Sequence, residues 1–305
     1  MKIITLMPFR NEEFFLKTSI PSVYDIADEI VCINDRSTDN SGKVASELGA
    51  TVYENTKNNE YGSVENQVRS NLLKLGREHK GTHFIFLDAD EALSSNLKDN
   101  MSFIKKLDKG QSAEFMWMSI WKSLDRYKND KSVWTNNYKD FVYHDDKIVN
   151  FEQKQFKNQN YKKYDVSWPT HPARTPSLNR IRFGLKTGAV LHYQFANWEA
   201  FQLKQCWYRC AELIQNDGQN AGGINDKYRI TLEADGFVTD IKNKFKTKKI
   251  PKYLDHDINR PNLDDLSSQY SWRLDQIENW FNDLGKDYFR DLEIWHLDSI
   301  KNINA

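Results

Sequence analysis

Residues 84–91, FIFLDADE, place four consecutive apolar residues directly before three acids in four positions. An unbroken apolar run of this length suits a strand covered on both faces. The acids Asp88, Asp90 and Glu91 then fall at the strand's carboxyl end, with Ala89 among them. Carboxylates this close raise one another's pKa, and a cation between them relieves the repulsion. Hard divalent ions take such oxygen ligands, and Mg2+ commonly shares one or two carboxylates with phosphate oxygens. The bland alternative is a solvated strand end or a helix N-terminus, where acids are also favoured.

The first hundred residues repeat the pattern. Ile3–Met7 predicts a strand ending at Pro8, and Asn11 predicts a cap for a helix that carries Glu12 and Glu13 in its first turn. Residues 29–34 (EIVCIN) predict a second strand, followed by a helix that stops at Gly49. Thr51–Tyr53 predicts a short third strand, and Val64–Leu75 a helix with Val68, Leu72 and Leu75 at helical spacing. Strands alternating with helices imply an α/β sandwich on a mostly parallel sheet. Ligands of such sheets sit beyond the carboxyl ends of the strands. Pro8–Glu12, Asp35–Asp39 and Asp88–Glu91 should therefore meet on one edge.

Further along, residues 113–121 and 188–195 read as strands, while 125–165 is polar and reads as loops or short antiparallel strands. From Trp198 the apolar spacing becomes helical, and it does so again over 264–299. The expected organisation is a catalytic domain over 1–195 and a helical C-terminal region over 196–305. The Lys-rich stretch KNKFKTKKIPK reads as a solvated face, with contact to lipid head groups as the sharper alternative.

Lys plus Arg and Asp plus Glu both number 43 in this chain of 305 residues, which argues against a nucleic-acid binder. Three cysteines make neither a zinc set nor a disulfide framework, and a reducing, cytoplasmic compartment is expected. No stretch approaches the roughly 20 apolar residues of a membrane span, which leaves peripheral membrane contact open.

PFRNEE, INDRSTDNS and FLDADE, in this order and spacing, resemble the family 2 glycosyltransferases. The likeness is good over about the first hundred residues and looser over 165–195. It implies the GT-A fold, a nucleotide-binding sandwich. It also implies metal-dependent transfer of a single sugar, with inversion, from a nucleotide sugar (UDP- or GDP-linked) to a hydroxyl on a glycan or lipid-linked acceptor, as in polysaccharide biosynthesis. Mn2+ or Mg2+ would be the cofactor, with Asp90 and His192 as its protein ligands. Asp88 would contact the ribose or a metal-bound water, and Asp35 would accept from the base's ring N–H. Pro8, Arg10 and Glu12 belong to the loop that wraps base and ribose, and Arg69, with Asn71, sits near the nucleotide.

The segment 164–176, YDVSWPTHPARTP, departs from the family pattern, because His171 is followed by Pro172 rather than an acid. An inverting transfer needs a general base within hydrogen-bond reach of the acceptor hydroxyl. Asp165, His171 and the pair Asp145–Asp146 are the candidates, Asp165 first. The Q-x-x-R-W motif of processive synthases is only loosely echoed by QCWYR at 205–209. The helical region would shape the acceptor site or a homo-oligomer contact. Two rivals stand beside this reading. A nucleotidyltransferase would want a glycine-rich loop after the first strand, and MPFRNEE has no glycine. A binding module that has lost its base would fit the departure at His171.

Overall fold

A computed structural model describes residues 1–55, 64–129, 137–148, 151, 174–177, 179–229, 247–252, 254 and 267–303. The strands are β1 (Ile3–Phe9), β2 (Glu29–Asn34), β3 (Thr51–Glu54), β4 (His83–Phe86), β5 (Glu91–Leu93), β6 (Gln111–Ser119), β7 (Arg126–Lys128), β8 (Tyr138–His144), β9 (Asn179–Arg182), β10 (Ala189–His192) and β11 (Thr247–Lys249). The α-helices are α1 (Glu13–Ser19), α2 (Ser41–Glu47), α3 (Val64–Glu78), α4 (Ser95–Asp99), α5 (Trp198–Gln215), α6 (Ala221–Lys227), α7 (Ser267–Leu284) and α8 (Asp298–Lys301).

Among the described residues the main sheet runs β3-β2-β1-β4-β8-β6-β10-β5, with β9 also paired to β6. The first four strands are mutually parallel. β8 is antiparallel to both β4 and β6, and β10 is parallel to β6. The sheet is thus largely parallel with one reversed strand in its interior, an α/β sandwich of the GT-A kind.

Alternation along the strands explains the two layers. Ile4, Leu6, Val31, Ile33, Phe84 and Phe86 bury against Val68, Leu72 and Leu73 of α3 on one face. Ile3, Met7, Cys32, Ile85 and Leu87 bury against Leu16 of α1 and Ala45 of α2 on the other. Successive side chains of a strand point to opposite faces. A run that is apolar at every position therefore needs cover on both sides. The C-terminal helices bury a cluster of their own around Trp207, Cys210, Ile277 and Phe281.

Several expectations are corrected. Asn11 does not cap α1: Glu12 precedes that helix and no side chain caps it. Asn11 instead takes a left-handed φ of 53°. The polar stretch after residue 125 does contain an antiparallel strand, as expected, and that strand, β8, lies in the sheet interior. The charges on it are accommodated, since Asp140 accepts from Thr175 Oγ1 at 2.8 Å and pairs with Arg180 at 3.3 Å. Part of the Lys-rich stretch is strand β11, paired antiparallel with β7, and Lys248 and Lys249 on it are exposed, as the solvated-face reading expects.

Asp145 is also displaced from its expected role. Its amide donates to the Thr82 carbonyl, which places it at the amino end of β4, on the opposite edge from Asp88. Its carboxylate is fully buried and receives both Arg77 Nε, at 3.0 Å, and Arg77 Nη2, at 2.7 Å. This pair ties α3 to the end of β8. Removing the cation strands a buried charge, which costs roughly 3–5 kcal/mol. Arg77→Met is expected to lose about that much in urea unfolding, and Arg77→Met with Asp145→Asn to recover part of it. A loss below about 1 kcal/mol would show that the pair is not buried as described.

Candidate functional site

Parallel register brings three strand ends together. Phe9 of β1 lies opposite Asn34 of β2, and Leu6 opposite Phe86 of β4. The loops beyond β1 and β2 are then clipped to each other. Asn11 Oδ1 accepts from the amides of Thr38, at 2.6 Å, and Asp39, at 3.3 Å, while its own amide donates to Ser37 Oγ at 2.9 Å. The Glu12 amide donates to Ser41 Oγ at 2.7 Å. The left-handed turn at Asn11, which Asn tolerates better than most residues, is what aims its side chain across the gap. Asp35 is anchored through its amide to the Phe9 carbonyl and accepts from Asn55 Nδ2 at 2.8 Å and from Arg36 Nε at 3.0 Å.

The acid cluster divides into two parts. Asp88 and Glu91 belong to a cationic cage. Arg69 donates to Asp88 Oδ1 at 2.8 Å, and Arg174 donates to Asp88 Oδ2 at 2.8 Å. Arg174 also donates to both Glu91 oxygens at 2.5 Å. Trp117 Nε1 and the Asp88 amide complete the Glu91 carboxylate. Burial alone would raise Asp88, but the charges of Arg174 and Arg69 outweigh it and hold the carboxyl well below the usual range. Glu91 is pushed up by burial in spite of Arg174. Lys139 Nζ sits 3.4 Å from the centre of the Trp117 ring, and burial, then the charge of Arg174, pushes it down to about 7.

Asp90 faces the other way. β5 pairs antiparallel with β10, with Glu91 opposite His192, and the Tyr193 amide donates to the Asp90 carbonyl at 2.8 Å. Those backbone bonds set Asp90 Oδ2 3.4 Å from His192 Nε2. The imidazole is buried and stacked on Trp117 at 4.0 Å, with Phe195 edge-on. Burial would raise Asp90, yet His192 and then Lys204 pull it down to about 2. Glu12 completes this half. Burial and the charge of Asp90 push it up to about 7, against Lys204 and Arg273.

One carboxylate and one imidazole suit a divalent cation such as Mn2+. Two ligands about 2.1 Å from an octahedral ion and at right angles to it lie about 3 Å apart. The separation of 3.4 Å fits that arrangement. Among the described residues no three candidate ligands cluster, so phosphate oxygens or water would fill the remaining positions.

The strand ends thus bring together Pro8, Arg10, Glu12, Asp35, Arg69, Asp88, Asp90 and His192, with Arg10 reaching 5.3 Å from the Trp272 ring of α7. Asn71 is exposed on α3. Asp165 and His171 lie outside the described residues. Sequence reasoning missed Arg174, Lys139 and Lys204. For Arg174 the available signal was its place in the segment carrying His171, where a guanidinium can bridge two carboxylates bidentately.

The profile of the family described as "Glycosyl transferase family 2" matches residues 5–171, more than half of the chain. Similar solved structures include Mycobacterium tuberculosis glucosyl-3-phosphoglycerate synthase with Mn2+ and UDP-glucose. That match has 18% identity over 39% of this chain and 43% of the synthase, with a TM-score of 0.29. The same synthase with Mn2+, UDP and phosphoglyceric acid gives 22% identity over 30% of this chain and 34% of that one, with a TM-score of 0.24. A mycobacterial protein gives 19% identity over 39% and 41%, with a TM-score of 0.29. The matched part spans less than half the length of each of these chains. No curated protein matches the sequence.

The cage yields a stability prediction. Arg174 and Glu91 are both buried, so Arg174→Met is expected to destabilise the fold by roughly 3–5 kcal/mol. Adding Glu91→Gln removes the stranded charge and should restore part of the loss in the same urea titration. Equal losses in the single and double variants would break the assignment.

Proposed function

The chain belongs to glycosyl transferase family 2, and from that premise we propose that it transfers a single sugar from a nucleoside-diphosphate sugar to a hydroxyl acceptor with inversion. The observation that carries the reading is the pairing of Asp90 with His192 at 3.4 Å beyond the strand ends, on the edge that also holds Asp35 and the Pro8–Glu12 loop. Asp90 and His192 would hold the divalent cation, whose chemistry there is Lewis-acid neutralisation of the departing diphosphate. Mn2+ suits the imidazole better than Mg2+ does.

Each other group has a separate task. Asp35 accepts the ring N–H of the base, and the Pro8–Glu12 loop frames base and ribose. Arg69 and Arg174 keep Asp88 ionised and fixed toward the ribose. The acceptor oxygen attacks the anomeric carbon opposite the leaving diphosphate. The C–O bond to phosphate breaks as the new one forms, and the acceptor proton passes to a general base. Asp165, then His171, are the residues assigned to that base. The acceptor is a glycan or lipid-linked hydroxyl, met in the cytoplasm. No described helix is long and apolar enough to cross a membrane.

Donor turnover with UDP- and GDP-sugars is the test. EDTA is expected to abolish it and Mn2+ to restore it. Asp90→Asn and His192→Gln should each lower kcat/KM by about a hundredfold or more, comparable to removing other groups that stabilise transition-state charge. Turnover that survives both chelation and Asp90→Asn would refute the metal assignment.

A further inference from the structure

Resting on that reading, we infer that Trp117 is a positioning residue for the cation site. Its indole, stacked on His192, sets the plane of the imidazole that would face the cation. A hydrogen bond to the second ring nitrogen ordinarily performs that task.

A metal-ligating histidine almost always donates its other ring N–H to a carboxylate, a carbonyl or water, and that bond fixes the ring. His192 lacks such a bond. Its Nδ1 is buried with no hydrogen-bond partner among the described residues, while Nε2 faces Asp90. Aromatic contact holds the imidazole instead. The Trp117 ring lies parallel to it within 19° at 4.0 Å, and Phe195 stands edge-on at 5.4 Å.

The sheet register produces this contact. His192 of β10 lies opposite Ser119 of β6, and Val190 lies opposite Trp117. Residues two apart on a strand share a face, so His192 is the diagonal neighbour of Trp117, within reach of an aromatic side chain. On the other side of β10, Glu91 of β5 lies opposite His192. The order β6-β10-β5 therefore puts His192 in the middle. The indole lies across the imidazole, and its Nε1–H reaches the Glu91 carboxylate on the far strand. That carboxylate is itself fixed by Arg174. One indole thus carries the rigidity of the cage to His192. An indole has only an N–H donor and no ligating atom, so any effect of Trp117 on a cation acts through the imidazole.

The test is the Mn2+ affinity of the full chain, read by titrating MnCl2 and following the electron paramagnetic resonance of the free ion. Trp117→Met removes the flat face and is expected to weaken Mn2+ binding about 10- to 100-fold, the usual range when the support of a metal ligand is lost. Trp117→Phe keeps a flat face, gives up the bond to Glu91, and should lose less than about fivefold. Both are measured where circular dichroism shows them folded, so a general loss of packing does not enter. Should Trp117→Met fail to fold, the wild-type chain decides. The His192 ring protons, assigned by their disappearance in His192→Gln, are expected upfield of an exposed histidine's through the indole ring current, and to broaden as MnCl2 is added. Unshifted ring protons, or unchanged affinity in Trp117→Met, would overturn the inference and leave the proposed function standing. Equal losses in the Met and Phe variants would overturn it as well. A wild-type chain that binds no Mn2+ would sink the metal assignment and this inference together.

Discussion

Glu91 is a carboxylate with no exposed side-chain surface, and the carboxyl edge of the sheet is built around compensating it. An isolated ionised carboxylate cannot be tolerated in such a place. Arg174 meets it through two donors, Trp117 and the Asp88 amide supply two more, and Arg174 then reaches across to Asp88. Arg69 closes the cage from α3. Segments far apart in the chain are thereby fixed to one point: the helix before the acid strand, the strand end itself, the interior strand β6 and the segment at residue 174. A buried ion pair of this kind is weak evidence for net stability, since a well-packed apolar replacement can do as well. What it supplies here is position, because the planar guanidinium accepts its carboxylates in one geometry only.

The same backbone that buries Glu91 in the cage turns Asp90 toward His192. β5 is only three residues long, and its alternation sends Glu91 into the cage while Asp90, one residue earlier, faces His192. A shift of one residue in the β5–β10 register would exchange these fates. The register is secured on both sides. Ser94 and Ala189 exchange backbone and hydroxyl bonds beyond the strand, and Tyr193 donates to the Asp90 carbonyl before it.

How much of this was legible follows from where the stabilising partners lie. β1, β2 and β4 were visible because each is an apolar run that stops at polar residues, a signal contained in a few consecutive side chains. Their convergence followed from parallel topology alone. β5 was not visible. Its first residue is an acid, and its strand character comes from pairing with β10, which a local window cannot see. β8 was legible only as a choice between loop and short antiparallel strand, because Lys139 and Asp140 interrupt its apolar pattern; the Trp117 ring, the Thr175 hydroxyl and Arg180 accommodate those charges in the sheet interior. Asn11 looked like a helix cap because Asn before two acids is the usual signature. The β2–α2 loop offered its side chain two amides to accept from, and the backbone turned left-handed to meet them. Lys204 carried no local signal, since a Lys among polar neighbours is ordinarily a solvated one, and Arg174 carried only its place in the segment of His171.

The two halves of the acid cluster differ in how fully they are satisfied, and that difference separates scaffold from working surface. Asp88 and Glu91 hold donors at 2.5 to 2.9 Å on every oxygen, although the Asp88 side chain keeps 26% of its surface exposed. Asp90 has the His192 imidazole at 3.4 Å and the Lys204 ammonium at 3.8 Å. Those distances are too long for strong hydrogen bonds and suited to groups that share a third body between them. A site finished by its own side chains would gain nothing from a ligand. Here the side chains on one half complete one another, and on the other half Asp90 Oδ2 keeps its neighbours at longer range. Two acids separated by a single alanine thus sit in unlike surroundings, Asp88 bonded to two guanidinium groups and Asp90 facing an imidazole.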